Sequence, residues 1–299
     1  MNELELARSR PAKARERAAG KHVQTSLTVG LASLGLLILL VIFGPLAIPN
    51  GPGDQDLDSR LLPPSSAHWL GTDNFGRDVF TRILYAGRAD LQIGVFTTFF
   101  TFVFGSAVGV LSGFYGGYLD AVVMRLLDIF LAFPTLVLVI AVVAIMGPGF
   151  LSLYVALSLA GWLPYARLAR GEILAAKQMD YVTAARALGC GDWQLIWRHL
   201  LPNAISSAIV FAASAISFNI LAAASLSYLG LGVRSPGVEW GAMIAEGRVF
   251  FLTTPGLILY PSLALAITGL IFSLIGDGLA DALRPGRSSH GGWDQHERS

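Results

Sequence analysis

Side chains able to do acid–base, metal or phosphate chemistry are few in this 299-residue chain, and they collect at the edges of long apolar stretches. Lysine occurs three times, as Lys13, Lys21 and Lys177, and none ends a glycine-rich loop. A P-loop phosphate cradle needs a lysine in that place, so nucleotide chemistry is not expected on this chain. Cys190 is the single cysteine, which excludes an intrachain disulfide. No row of His, Cys or Met offers a soft-metal site. The apolar stretches also lack a row of Asp, Glu, Lys or Arg that could relay protons or ions across lipid. Asp120, Asp128, Asp277 and Asp281 stand near the ends of these stretches and are expected to act as helix-end or interface groups. The chain is therefore expected to be non-enzymatic, with no catalytic residues, no metal and no cofactor of its own. Uphill movement of a solute would need energy from a partner.

Polar residues gather in two places. The first is 171–203. Ala184, Ala185, Arg186, Ala187 and Leu188 favour a helix from Tyr181 to Leu188, and Asp180 is placed to cap its start. Gly189 and Gly191 permit a sharp turn. A second short helix is expected over Trp193–Leu200, with Pro202 marking entry to the next apolar stretch. Such a helix–turn–helix suits docking to a cytoplasmic protein: Ala184 and Ala187 allow close approach, and Gly189 sets the turn. A helix lying on lipid is the alternative, and a net charge of +1 gives no nucleic-acid signal. The second place is 47–89, rich in prolines and aspartates. Pro63-Pro64 reads as extended, Gly71 and Gly76 as turns, and Arg77 between Asp73 and Asp78 as a local ion-pair network. This segment reads either as a docking surface or as a lid on the chain itself. A shorter loop carries Pro236, Glu239 and Trp240, where tryptophan suits an interface anchor.

The elements that hold these groups are apolar helices. Hydrophobic residues make up 54% and charged residues 14%, against about 25% charged in soluble domains. Mean hydropathy is +0.61. A crossing helix needs about 20 apolar residues, and the charge-free stretches predict six, at roughly 25–46, 91–112, 126–146, 151–170, 204–229 and 256–276. Gly147-Pro148-Gly149 separates the third from the fourth. Fifteen Lys and Arg flank one side and six the other, so both termini are expected in the cytoplasm. The fold class is all-α and polytopic. Residues 1–23 form a basic tail, 24–285 a single membrane domain and 286–299 a second tail. Gly105, Gly109 and Gly113 leave one helix face nearly bare, so another backbone can approach. Ser214 and Ser217 belong to a run of small residues in the fifth span. Both features fit helix packing or a surface lining a moving pathway.

Several blocks in order carry a family resemblance. Thr183-Ala184-Ala185-Arg186-Ala187-Leu188-Gly189, then Ile196 and Leu201-Pro202-Asn203, resembles the "EAA" loop of bacterial ABC importer permeases, with Thr183 where that loop usually has glutamate. His68–Asp73 with Gly76-Arg77-Asp78-Val79 resembles the outer loop of the dipeptide/oligopeptide/nickel branch, in its "C" permease. Gly113–Asp120, Met124–Asp128, Ala224–Gly232, Glu239–Ile244 and Gly276–Pro285 are similar to further blocks of that branch. The resemblance covers about residues 20–285. It implies a type I ABC importer permease in the bacterial inner membrane, working with a second homologous permease, two ATPase subunits that bind ATP and Mg, an extracytoplasmic solute-binding protein and lipid. It implies that Asp180, Tyr181, Thr183, Ala184, Ala185, Ala187, Leu188, Gly189, Ile196, Leu201 and Pro202 form the ATPase-coupling loop. Gly71, Asp73, Gly76, Arg77, Asp78, Glu239 and Trp240 would form the outer docking surface or lid. Di- or oligopeptides are the expected cargo, with nickel or glutathione as alternatives. A gated channel or a membrane scaffold is the reading from another class.

Overall fold

The computed structural model describes residues 12–48, 51–233 and 237–283, with side chains from residue 25 onward except 47 and 203. Residues 1–11 and 284–299, and with them the whole of the expected C-terminal tail, lie outside the described residues, as does Pro236. Among the described residues ten α-helices follow in order: α1 Ala12–Phe43, α2 Val79–Tyr115, α3 Gly117–Leu131, α4 Thr135–Met146, α5 Phe150–Ala176, α6 Asp180–Ala187, α7 Asp192–Leu195, α8 Leu201–Tyr228, α9 Trp240–Gly247 and α10 Gly256–Leu283. α1 begins well inside the segment read from sequence as a tail.

Four described segments are long and apolar enough to cross a bilayer: Thr25–Leu46, Val79–Tyr115, Ala204–Tyr228 and Gly256–Leu283. α3 and α4 add a fifth if the pair is one span, but they meet at 86°. Six simple spans are therefore not what the structure shows. The expected third span breaks at Pro134, which lacks an N–H and disfavours helix at Phe133. α5 is 27 residues long, yet Trp162, Pro164, Tyr165, Arg167 and Arg170 dilute its apolar character. α2 starts twelve residues before the expected 91, because the Asp78 side chain accepts the Thr81 N–H at 2.7 Å and caps the helix there.

α2 is the spine. It lies along α5 for most of its length and also touches α8. Gly105, Gly109 and Gly113 all turn toward α5. A Cβ at Gly105 would strike the Trp162 carbonyl, one at Gly109 the Ala166 carbonyl, and one at Gly113 would come 3.0 Å from the Arg170 carbonyl. α1 and α8 both pack on α10. The exposed apolar side chains, such as Phe96, Phe99, Phe100, Leu263 and Leu270, cover the outside of the bundle, as lipid requires.

Candidate functional site

At one end of the bundle, α6 and α7 form a hairpin. Met179 is the N-cap of α6 and makes no side-chain cap bond. Asp180 is the first helical residue, not the cap expected from sequence; its charge there complements the helix dipole. The turn after α6 is closed twice. Gly189 N–H donates to the Arg186 carbonyl at 3.0 Å, and Cys190 N–H to the Ala185 carbonyl at 3.1 Å. This pair of bonds is a Schellman motif, and Gly189 supplies its left-handed residue at φ +84°. A short π-helical turn, Ile196–Leu200, then leads into α8. Pro202 cannot donate a helical N–H and crowds the preceding turn, which favours this widening.

The hairpin has two faces. Val182, Ala185, Leu195, Ile196 and Leu200 pack against Val110 and Phe114 of α2 and Ala169 and Ile173 of α5, with Cys190 and Leu201 at the edge. Asp180, Tyr181, Thr183, Ala184, Ala187, Leu188, Gly189 and Pro202 are exposed. Leu188 is 87% exposed, Trp193 70% and Trp197 54%, so a bare apolar knob faces away from the bundle. The two tryptophan rings lie 5.2 Å apart.

Lys177, which sequence reasoning left unassigned, ties the hairpin to α2. Lys177 Nζ donates to the carbonyls of Phe114 at 2.7 Å and Gly113 at 3.3 Å, capping the end of α2. Lys177 and Arg186 both lie over the Phe114 ring. Arg170 grips Asp120 through two bonds of 2.5 and 2.6 Å, and Ser112 Oγ donates to the same carboxylate at 2.6 Å. The isolation of Lys177, the one lysine beyond residue 21, was the available signal.

At the other end, the segment 51–78 folds onto α2 and α9. Asp73 accepts the backbone N–H groups of Phe75 and Arg77, and its other oxygen takes Arg77 Nε at 2.6 Å and Arg82 Nη1 at 2.5 Å. Both arginines also reach Glu246 of α9, at 2.7 and 2.9 Å. Arg77 thus pairs with Asp73 and Glu246, while Asp78 caps α2 and meets His68 Nδ1 at 2.9 Å. Gly71 and Gly76 take positive φ. A Cβ at Gly76 would collide with the Asp56 carbonyl, so this turn admits no side chain. Glu239 and Trp240 are buried, not displayed at the surface.

Between the two ends, a cavity of about 350 Å³ lies among α2, α4, α5 and α8, lined by Thr101, Tyr165, Phe211, Ser214 and Asn219 among others. A second, of about 620 Å³, sits nearer the hairpin and is lined by Arg167, Glu172 and Ala175. Pro164 and Phe211 line both. Ser217 sits elsewhere on α8, donating to the Gly269 carbonyl of α10 at 3.1 Å. Among the described residues no group of three or more His, Cys, Asp and Glu could hold a metal ion.

A family of binding-protein-dependent transport system inner membrane components matches residues 105–289. The N-terminal transmembrane domain of oligopeptide transport permease C matches residues 26–64. The chain belongs to the C-subunit permeases of the peptide, nickel and glutathione ABC importers. It is 43% identical to a glutathione transport system permease protein of Pectobacterium atrosepticum, over 89% of this chain and 87% of that one. It is 39% identical to a dipeptide transport system permease protein of Alkalihalophilus pseudofirmus, over 86% and 84%. A probable D,D-dipeptide transport system permease protein of Escherichia coli K12 is 41% identical, over 84% of each chain. A chain of the MetNI methionine ABC transporter, in an inward-facing form, aligns with a TM-score of 0.55 at 20% identity, covering 67% of this chain and 95% of that one. That likeness is one of fold: the type I importer permease. This permease is thus a multi-pass inner-membrane subunit of a peptide-type importer. Permeases of this family are not catalytic, and ATP binds to the ATPase subunits with which they pair.

Proposed function

We propose that this permease forms half of a pathway for short peptides and crosses the membrane six times with both termini in the cytoplasm. α5 serves as the fourth crossing and the bent pair α3–α4 as the third. At about 1.5 Å per residue, the 27 residues of α5 suffice for a hydrocarbon core of about 30 Å. The basic excess on the hairpin side supports this orientation.

The observation that carries the coupling role is the hairpin, whose exposed Leu188, Trp193 and Trp197 are backed by a packed base. Two ATPase subunits dock in the complex, one of them on this knob. A second, homologous permease completes the pathway, and a solute-binding protein delivers cargo to the outer loop. Closure of the ATPases moves the hairpin, and the Lys177–Phe114–Arg186 contact passes that movement to α2. Such a lever shifts the population between two packings of the spans. The cavities lined by Ser214, Tyr165 and Glu172 are offered as this subunit's share of the path.

Cargo follows from the relatives: two of the three are named for dipeptide transport, one of them as probable, and glutathione, itself a tripeptide, is a second reading favoured by the 43% relative. The test is Gly189→Val in reconstituted transporter. Valine at positive φ is strained by about 1–2 kcal/mol or more, while open space surrounds the position. Uptake of labelled dipeptide or glutathione per ATP hydrolysed should fall severalfold with membrane insertion intact. Normal coupling in that variant would contradict the assignment.

A further inference from the structure

A buried acid pair lies at the outer end of the bundle, far along α2 from the hairpin. Asp90 of α2 and Glu239, just before α9, are both fully buried. Asp90 Oδ2 accepts the Trp240 backbone N–H at 2.9 Å, which brings its carboxyl beside Glu239. Among the described residues the second Asp90 oxygen and both Glu239 oxygens make no close hydrogen bond, and the Val233 backbone N–H weakly favours the ionised form of Glu239.

Among the described residues no neighbouring cation pairs with these groups; Arg234 lies outside the described residues. Among the described residues Asp90 is the charged group that acts on Glu239. Arg77 and Arg82 are held by Asp73 and Glu246. Arg88 donates to the carbonyls of Val41 and Ile42, and Arg248 lies over the Tyr228 ring. α8 presents the Ala224 backbone to Gly241. α10 contributes Leu257 and Tyr260 to the apolar cluster around Trp240.

Two neighbouring carboxyls sealed from water cannot both stay ionised. We propose that Asp90 and Glu239 are a proton-binding pair that keeps at least one proton at neutral pH, and that this proton holds α9 against α2. The seat around the pair is tight. The Trp240 indole N–H donates to the Ile83 carbonyl at 3.0 Å, and a Cβ at Gly87 would come 3.0 Å from the Trp240 ring. α9 is thus wedged between α2 and α8, with the acid pair as the polar part of the wedge. Release of the proton to bulk water puts two negative charges into an apolar joint and drives the elements apart. Burial first, and then the charge of Asp90, push the Glu239 carboxyl from an ordinary 4.5 up to about 9, in keeping with the geometry.

The sign of the pH effect follows. The folded chain holds this proton more tightly than the unfolded chain, so stability from the pair falls as pH rises from 4.5 toward about 9 and levels off above it. The experiment uses the full transporter in lipid nanodiscs. At neutral pH its infrared spectrum should contain a protonated-carboxyl C=O stretch that Glu239→Gln or Asp90→Asn removes. The wild type should lose that band on alkaline titration. The wild-type thermal midpoint should fall between about pH 6 and about pH 9, and Glu239→Gln should flatten that fall. Identical carboxyl spectra in wild type and both variants would overturn the proposal. So would a stability that follows sodium concentration and not pH. If neither variant assembles, the absence of any alkaline-sensitive carboxyl band in the wild type overturns it as well. None of these readouts involves uptake, so they stand or fall apart from the transport assignment.

Discussion

Single residues decide how closely the chain can pack and where it can turn. Gly109 is the sharpest case, because a methyl group there meets the Ala166 backbone and not a movable side chain. Gly109→Ala should therefore cost about 1–3 kcal/mol, read as a lower thermal midpoint of the assembled transporter; an unchanged midpoint would mean that α2 and α5 are not in contact there. The bare face of the second span was legible in the sequence, since three glycines at four-residue spacing leave room for a backbone. Its partner was not, because spacing on one helix says nothing about which other helix approaches. The acid pair was illegible for a related reason. Asp90 reads as a flanking charge of an outer loop when the span is started at 91, and only the packing of Trp240 on α2 reveals that it is buried.

Elements act here through their ends. The outer loop is pinned to α2 and α9 by Asp73, whose carboxylate faces two buried arginines. Asp73→Asn leaves both guanidinium groups short of a counter-charge, with Glu246, itself partly exposed, as the remaining acid. The loss should be about 3–5 kcal/mol, seen as early protease cleavage within 54–78; wild-type resistance would show that the loop is held by other contacts. The sequence indicated a local network around Arg77, and it missed Glu246 because a partner 169 residues away leaves no local pattern. At the opposite end, Lys177 caps the carbonyls of α2 while the hairpin packs beneath it. Lys177→Met should keep ATPase subunits bound but lower uptake per ATP severalfold, measured in proteoliposomes. Unaltered coupling would remove this contact from the relay. The hairpin itself was legible almost residue by residue, because alanine-rich helix, glycine turn and proline are local signals. Only the cap was misplaced, by one residue, and the π turn before Pro202 went unforeseen.

For the whole molecule, the apolar stretches revealed a polytopic helical protein but overstated its regularity. Hydropathy counts residues and does not see an 86° bend, so a broken pair reads as one clean span. It also hid the start of α2, where buried ion pairs satisfy charges that normally mark a span's end. The assembled picture is a bundle with a charge-clamped cap on one side and an apolar knob on the other. Coupling requires that knob to meet the ATPase inside the cell. A photo-cross-linker on Leu188→Cys, in a Cys190→Ser background and in sealed cells, tests this most directly. Illumination should join this chain to an ATPase subunit. A covalent product with the extracytoplasmic binding protein, or labelling of that position by an impermeant thiol reagent from outside, would contradict it.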